Sequence, residues 1–140
     1  SDAAVRWFRE APGDGPGGRT WLPLALAESR ALEFAMSSGA ATATLRKGEL
    51  CVDIENRQVS ERGAAAVRLR RGVWVWLNDQ SVWQPYAEAL SARLDEAVAK
   101  RLTQCPLQAE YIVLLGATPY QQLNTKSGFR RTVRRGLPDS

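Results

Sequence analysis

The feature that most restricts what this chain can fold into is a repeat with no gap inside it. Residues 21–35 read Trp21-Leu22-Pro23-Leu24-Ala25-Leu26-Ala27-Glu28-Ser29-Arg30-Ala31-Leu32-Glu33-Phe34-Ala35. A step of 62 residues lays Trp21 on Trp83, Pro23 on Pro85, Ser29 on Ser91, Leu32 on Leu94, Glu33 on Asp95 and Ala35 on Ala97. Two like-folded copies therefore fill the chain, residues 5–71 and 73–136. Allowing for connecting segments of unequal length, Trp7 then corresponds to Trp76, and Arg70-Arg71 to Arg134-Arg135.

The second copy carries the clearer local pattern. Trp74 and Trp76 are two apart and share one strand face, and Asn78-Asp79-Gln80-Ser81 supplies turn chemistry before a short strand at Val82 to Gln84. After Pro85 the period becomes helical to about Arg101, with Leu90, Leu94 and Val98 inward. Cys105-Pro106 breaks it. Tyr111 to Leu115, Tyr120 to Leu123 and Phe129 to Arg135 follow as strands, turned at Gly116 to Pro119 and Asn124 to Gly128.

The first copy repeats the plan with a thinner core. Residues 1–4 read as a frayed end, Val5 to Arg9 as a strand, Ala11 to Gly18 as a loop, Trp21 as a second short strand, and Ala27 to Ser38 as a helix with Ala31, Leu32, Phe34, Ala35 or Met36 inward. Strands at Ala41 to Leu45, Glu49 to Ile54, Arg57 to Ser60 and Ala65 to Arg70 complete it. The expected class is α+β: two modules, each a curved, half-open antiparallel sheet with one helix across it. Arg71-Gly72-Val73 leaves almost no linker, so the halves are expected to pack as a rigid pair.

Composition narrows the function. The 140 residues include no histidine and two cysteines, Cys51 and Cys105, without a CxxC. A disulfide framework, a metal site and a cofactor are not indicated, and the compartment reads as cytosol or nucleus. No stretch approaches the roughly 20 apolar residues of a membrane span. A GxSxG and a P-loop ending are lacking, and Gly13 to Gly18 reads as a plain flexible loop, so catalysis by this fragment is not expected. Glu33 and Asp95 read as solvated helix-face acids. The net charge of +4 is concentrated in Arg68, Arg70 and Arg71 and in Lys126, Arg130, Arg131, Arg134 and Arg135, which suggests anionic partners or a guarded sheet edge. Specific nucleic-acid recognition is not expected, because exposed aromatics do not interleave with these arginines.

What remains is binding chemistry: Tyr111, Gln122 and Arg131 on three neighbouring strands, with Trp83 in the hairpin. A ring can stack, an amide can read an edge, and a guanidinium can hold a phosphate.

Trp76, Trp83, Pro85-Tyr86, Leu94-Asp95-Glu96-Ala97, Tyr111-Ile112-Val113, Gln122, Asn124 and Arg131-Thr132-Val133-Arg134-Arg135 resemble the WWE domain, strongly over 73–136 and more loosely over 5–71. The tandem resembles the N-terminal region of Deltex-type RING ubiquitin ligases. That resemblance implies a non-catalytic region docking a partner such as the Notch intracellular ankyrin repeats in a cleft between the modules. The alternative it implies is recognition of ADP-ribose, the iso-ADP-ribose unit of poly-ADP-ribosylated proteins, by Tyr111, Gln122 and Arg131 with Trp83 in the pocket wall. It further implies an insertion near Gly116 to Pro119, a competing Gln121, and Asn78 where some members have an aromatic ring. In the first copy it sets Cys51 in the tyrosine's place and Val67 in the arginine's.

Overall fold

The structure is a computed structural model describing residues 4–137. Of the frayed end expected for residues 1–4, the first three positions lie outside the described residues.

One topology is laid down twice. In the first half, β1 (Arg6–Pro12) and β2 (Arg19–Pro23) form a hairpin, α1 (Leu26–Ser37) follows, and β3 (Thr42–Leu45), β4 (Leu50–Asp53), β5 (Gln58–Glu61) and β6 (Val67–Gly72) return as a meander. The second half repeats this with β7 (Trp74–Leu77), β8 (Trp83–Pro85), α2 (Glu88–Ala99), β9 (Gln104–Pro106), β10 (Tyr111–Leu114), β11 (Tyr120–Asn124) and β12 (Arg130–Arg135). All pairings are antiparallel, and the orders are β2-β1-β6-β5-β4-β3 and β8-β7-β12-β11-β10-β9. Neither six-stranded sheet closes into a barrel. The helix breaker expected at Cys105-Pro106 is itself a strand, β9, where Pro106 is tolerated because β9 is an edge of its sheet.

Each helix presents a narrow stripe to its sheet: Ser29 and Leu32 in α1, and Ser91, Leu94 and Ala97 in α2 are buried. Two expectations fail here. Phe34 is 73% exposed and Val98 38%, because each is displaced around the helix from the Ser–Leu stripe that faces the strands. Ala31 is likewise exposed. Ala35 and Met36 pack partly against the first core, and Leu90 against the second.

The residues that recur turn out to hold one interaction. Ser29 Oγ accepts the Trp7 backbone N–H at 2.9 Å, and Ser91 Oγ accepts that of Trp74 at 3.3 Å. The Trp7 indole N–H donates to Glu33 at 2.9 Å, and the Trp74 indole to Asp95 at 2.9 Å. Arg71 and Arg135 then grip the same carboxylates, each from Nε at 2.7 Å. The counterpart of Trp7 is therefore Trp74, not Trp76; the longer β1–β2 loop shifts the spacing on that side. Glu33 and Asp95 are acceptors for deeply buried indoles, not solvated face residues. Trp7 has no exposed surface, and its N–H needs a partner.

Burial pushes Glu33 toward protonation, but hydrogen bonds from Arg71 and Trp7 outweigh it and hold the carboxyl below the ordinary glutamate range. A depressed folded pKa stabilises above the unfolded value, and that contribution disappears as pH falls through the folded one. Glu33→Gln is expected to cost about 1 kcal/mol at neutral pH and to flatten the acid limb of a stability–pH profile below about pH 4.3. An acid limb as steep as in the parent chain would remove Glu33 from this account.

The halves meet on their outer sheet faces. Phe8, Val75 and Leu137 are buried together, with Trp21 and Trp83 alongside. Buried Gln84 reaches across: its Oε1 accepts the Trp21 backbone N–H at 3.0 Å and the Thr20 hydroxyl at 3.1 Å, and its Nε2 donates to Trp21 O at 3.1 Å. Arg57 grips Glu88 at 2.7 and 2.8 Å. At the joint, a Cβ on Gly72 would come within 2.5 Å of the Phe8 ring, so only glycine fits. The junction is packed with side chains.

Candidate functional site

Tyr111, Gln122 and Arg131 line one cavity of about 310 Å³ at the open end of the second sheet, together with Asn124, Ser127 and Phe129. The ladder brings them together: Gln122 is paired with Arg131 across β11–β12, and Tyr111 with Asn124 across β10–β11. The Gly116 to Pro119 connection joins the opposite ends of β10 and β11, beyond Leu114 and Tyr120, and so leaves the cavity clear. Gln121 faces the other way and accepts a hydrogen bond from Arg130 at 3.0 Å. Gln122, not Gln121, is thus the glutamine that lines the cavity.

The buried Tyr86 hydroxyl donates to Gln122 Oε1 at 2.6 Å, and burial raises that phenol's pKa, so it remains a donor. With its oxygen occupied, Gln122 is left with its amide N–H groups, which have no protein partner among the described residues. They are free to meet an acceptor in the cavity. Arg131 lies between two rings, 5.6 Å from the Trp76 centroid and 4.9 Å from that of Phe129. Its guanidinium is capped by Asp79, at 2.8 Å from Nη1 to Oδ1 and 3.4 Å from Nη2 to Oδ2. Arg131 holds the Asp79 carboxyl below the usual aspartate range.

Trp83 is not in the pocket wall. It sits opposite Leu77 on the outer face, near Val75 and the junction, because strand neighbours alternate sides. The tryptophan that contacts a cavity residue is Trp76, through the Arg131 guanidinium. Asn78 does not take that role either: its Oδ1 accepts the N–H groups of Gln80 and Val82, both at 2.9 Å, and shapes the turn that carries Asp79. Sequence reasoning missed Phe129 in the cavity lining, and Trp76, Asp79 and Tyr86 as the groups that hold Arg131 and Gln122. The shared face of Trp74 and Trp76 was the available signal for Trp76.

The corresponding place in the first half is lined differently, and that half's cavity of about 350 Å³, beside Thr44, Cys51, Gln58 and Ser60, is on the other face of the sheet. Val113 is paired with Gln122 and Cys105, and Val52 with Val59 and Ala43, which sets Leu50, Val59 and Val67 where the second half has Tyr111, Gln122 and Arg131. All three belong to or pack on the first core. Leu50, not Cys51, takes the tyrosine's position; Cys51 is one residue on and exposed. The equivalent space is filled with aliphatic side chains.

A cavity with a stacking surface, an oriented amide and a ring-flanked guanidinium is equipped to bind a ligand. Residues 72–135 match the family model of the WWE domain, a non-catalytic interaction module. No curated protein matches the chain.

Proposed function

We propose that the second half binds an ADP-ribose-type ligand, the iso-ADP-ribose unit of poly-ADP-ribose, in the cavity of Tyr111, Gln122 and Arg131, and that the first half is a divergent WWE module serving as its rigid support. The observation that carries this reading is the convergence of those three side chains on one open cavity of about 310 Å³. Tyr111, 37% exposed, offers a ring face, Gln122 Nε2 a donor to a base or sugar acceptor, and Arg131 the charge for a phosphate. Titrating the full chain with iso-ADP-ribose by calorimetry and NMR tests it. Saturable binding with shifts at Tyr111 and Gln122 is expected, and no saturation at millimolar ligand overturns the reading.

Asp79 competes with a phosphate for the Arg131 guanidinium. Asp79→Asn is expected to tighten iso-ADP-ribose binding about two- to fivefold, the size of an exposed ion pair. Weaker binding by that variant would make Asp79 part of the cradle instead of a rival to the ligand.

Docking of a folded protein in the cytosol or nucleus, as in Deltex-like ligases that engage Notch ankyrin repeats, is the second reading. It is favoured by the packed junction, which holds both halves as one surface.

A further inference from the structure

The arginines of β12 are all satisfied except one. Arg130 donates to Gln121, Arg131 to Asp79 and Arg135 to Asp95. Arg134 has no hydrogen-bond or ion-pair partner among the described residues, and its Nε is shielded from solvent with no acceptor. Its guanidinium lies 5.8 Å from the Trp83 ring centroid, at the side of a groove of about 440 Å³ whose walls include Trp83, Pro119, Thr132 and Arg134. This groove is on the outer face of the sheet and separate from the Arg131 cavity.

The first half shows the same residues with the place occupied. The ladders equate Arg70 with Arg134, opposite Phe8 and Val75, and Trp21 with Trp83, opposite Glu10 and Leu77. Arg70 stacks on Trp21 at 4.4 Å and donates to the Pro85 carbonyl at 3.2 Å. Trp21 is on an edge strand. Leu24 N–H bonds Trp7 O, and alternate pairs of an antiparallel ladder are hydrogen-bonded, so the main-chain N–H and C=O of Trp21 point away from β1. The Gln84 side-chain amide meets both, at 3.0 and 3.1 Å, as another strand would. An extended Gln-Pro segment from the second half thus covers the first half's Trp–Arg site.

In the second half none of the described residues covers that site. The bonds Asn78 N–H to Val82 O and Tyr86 N–H to Trp74 O, both 3.0 Å, fix the same alternation, so the Trp83 N–H and C=O also point away from β7. The carbonyl accepts only from neighbouring Gln84, at 2.8 Å, and no acceptor meets the N–H among the described residues. The site is also roomier. In the first half Arg68 lies over Trp21 at 5.4 Å and is held by Glu10 at 2.6 Å; Thr132 and Leu77 replace that pair.

We propose that the Trp83–Arg134 groove docks an extended partner segment in which a glutamine is followed directly by a proline. Its glutamine amide pairs with the Trp83 main chain, and the following carbonyl accepts from Arg134, repeating the contact that Gln84-Pro85 makes on Trp21 and Arg70. Proline keeps the segment extended and adds no N–H needing a partner. A second copy of this chain is not the occupant, because its own Gln84 and Pro85 are buried in its junction.

The test is a titration of the full chain, by amide NMR, with a synthetic peptide of the chain's own residues 81–87, Ser-Val-Trp-Gln-Pro-Tyr-Ala. Saturable shifts at Trp83, Thr132 and Arg134 are expected. Arg134→Ala in the chain, or glutamine-to-alanine in the peptide, should each weaken binding roughly tenfold, as for a hydrogen bond to a charged or otherwise unpaired buried group. The double change Leu77→Glu with Thr132→Arg rebuilds the first half's filled arrangement and should abolish binding, with the rest of the spectrum reporting the fold intact. Absence of saturation at millimolar peptide, shifts at Trp21 instead of Trp83, or binding indifferent to Arg134→Ala would each overturn the proposal.

Discussion

Leu94→Ala is expected to cost about 2–5 kcal/mol of folding stability, the range for deleting a buried leucine side chain when its surroundings relax only in part. Leu94 has no exposed surface and sits in a cluster with Val73, Trp74, Tyr86, Val113 and Val133. These come from β7, β10, β12 and the entries to β7 and α2, so one truncation opens a void bordered by most of the second half. Val98→Ala, one turn further along the same helix, is expected to stay within about 0.5 kcal/mol because Val98 is exposed. Urea melts with unchanged m-values measure both. Similar losses for the two would mean that α2 is rotated relative to the sheet from the arrangement described.

The contrast between Leu94 and Val98 also shows what could be read from the chain and what could not. The recurrence of Ser29, Leu32 and Glu33 at Ser91, Leu94 and Asp95 exposed the duplication and nearly every strand, since each matched residue serves a contact that both halves need. Their roles were less legible. A hydropathy period does not reveal that an acid on the helix flank accepts from a tryptophan indole, because this depends on which ring lies beneath it. Trp7 was matched to Trp76 for the same reason. Counting residues across loops of unequal length loses the register, whereas the Trp–Ser–acid–Arg set restores it by chemistry.

At the candidate site the same limit applies to sheet faces. Tyr111, Gln122 and Arg131 come together as expected, but Trp83 was assigned to their side without a strand register to decide it. Its pairing with Leu77 turns it outward, and the ring beside Arg131 is that of Trp76. The Asp79 cap on Arg131 had no signature at all, since an aspartate in a turn is ordinary turn chemistry until the strand opposite brings a guanidinium to it.

The two halves share a frame and use its interior differently. Leu50, Val59 and Val67 fill in one half the space that Tyr111, Gln122 and Arg131 leave open in the other. Phe8 and Gln84 then tie the filled half to the open one. The nucleotide reading thus rests on very few polar side chains, and the heaviest demand falls on Arg131.

Arg131→Ala is expected to weaken iso-ADP-ribose binding by about 1.5–3 kcal/mol, roughly ten- to a hundredfold, as for the loss of a charge-assisted hydrogen bond. The change does more than subtract one cation. Without Arg131, Trp76 and Phe129 lose the group between them, and Asp79 stays at the rim as an uncompensated negative charge facing an anionic ligand. Arg131→Lys keeps the charge but not the planar fork, and should fall between the parent and the alanine variant. Arg134→Ala removes the same formal charge from the opposite face and should alter nucleotide affinity by no more than about twofold at physiological salt, where charges beyond about 8 Å are screened. Calorimetric titrations of the three variants at two salt concentrations make the comparison. Equal losses for Arg131→Ala and Arg134→Ala, both relieved by salt, would show that the chain attracts the ligand through its general basic charge, and the cavity of Tyr111 and Gln122 would then have no part in recognition.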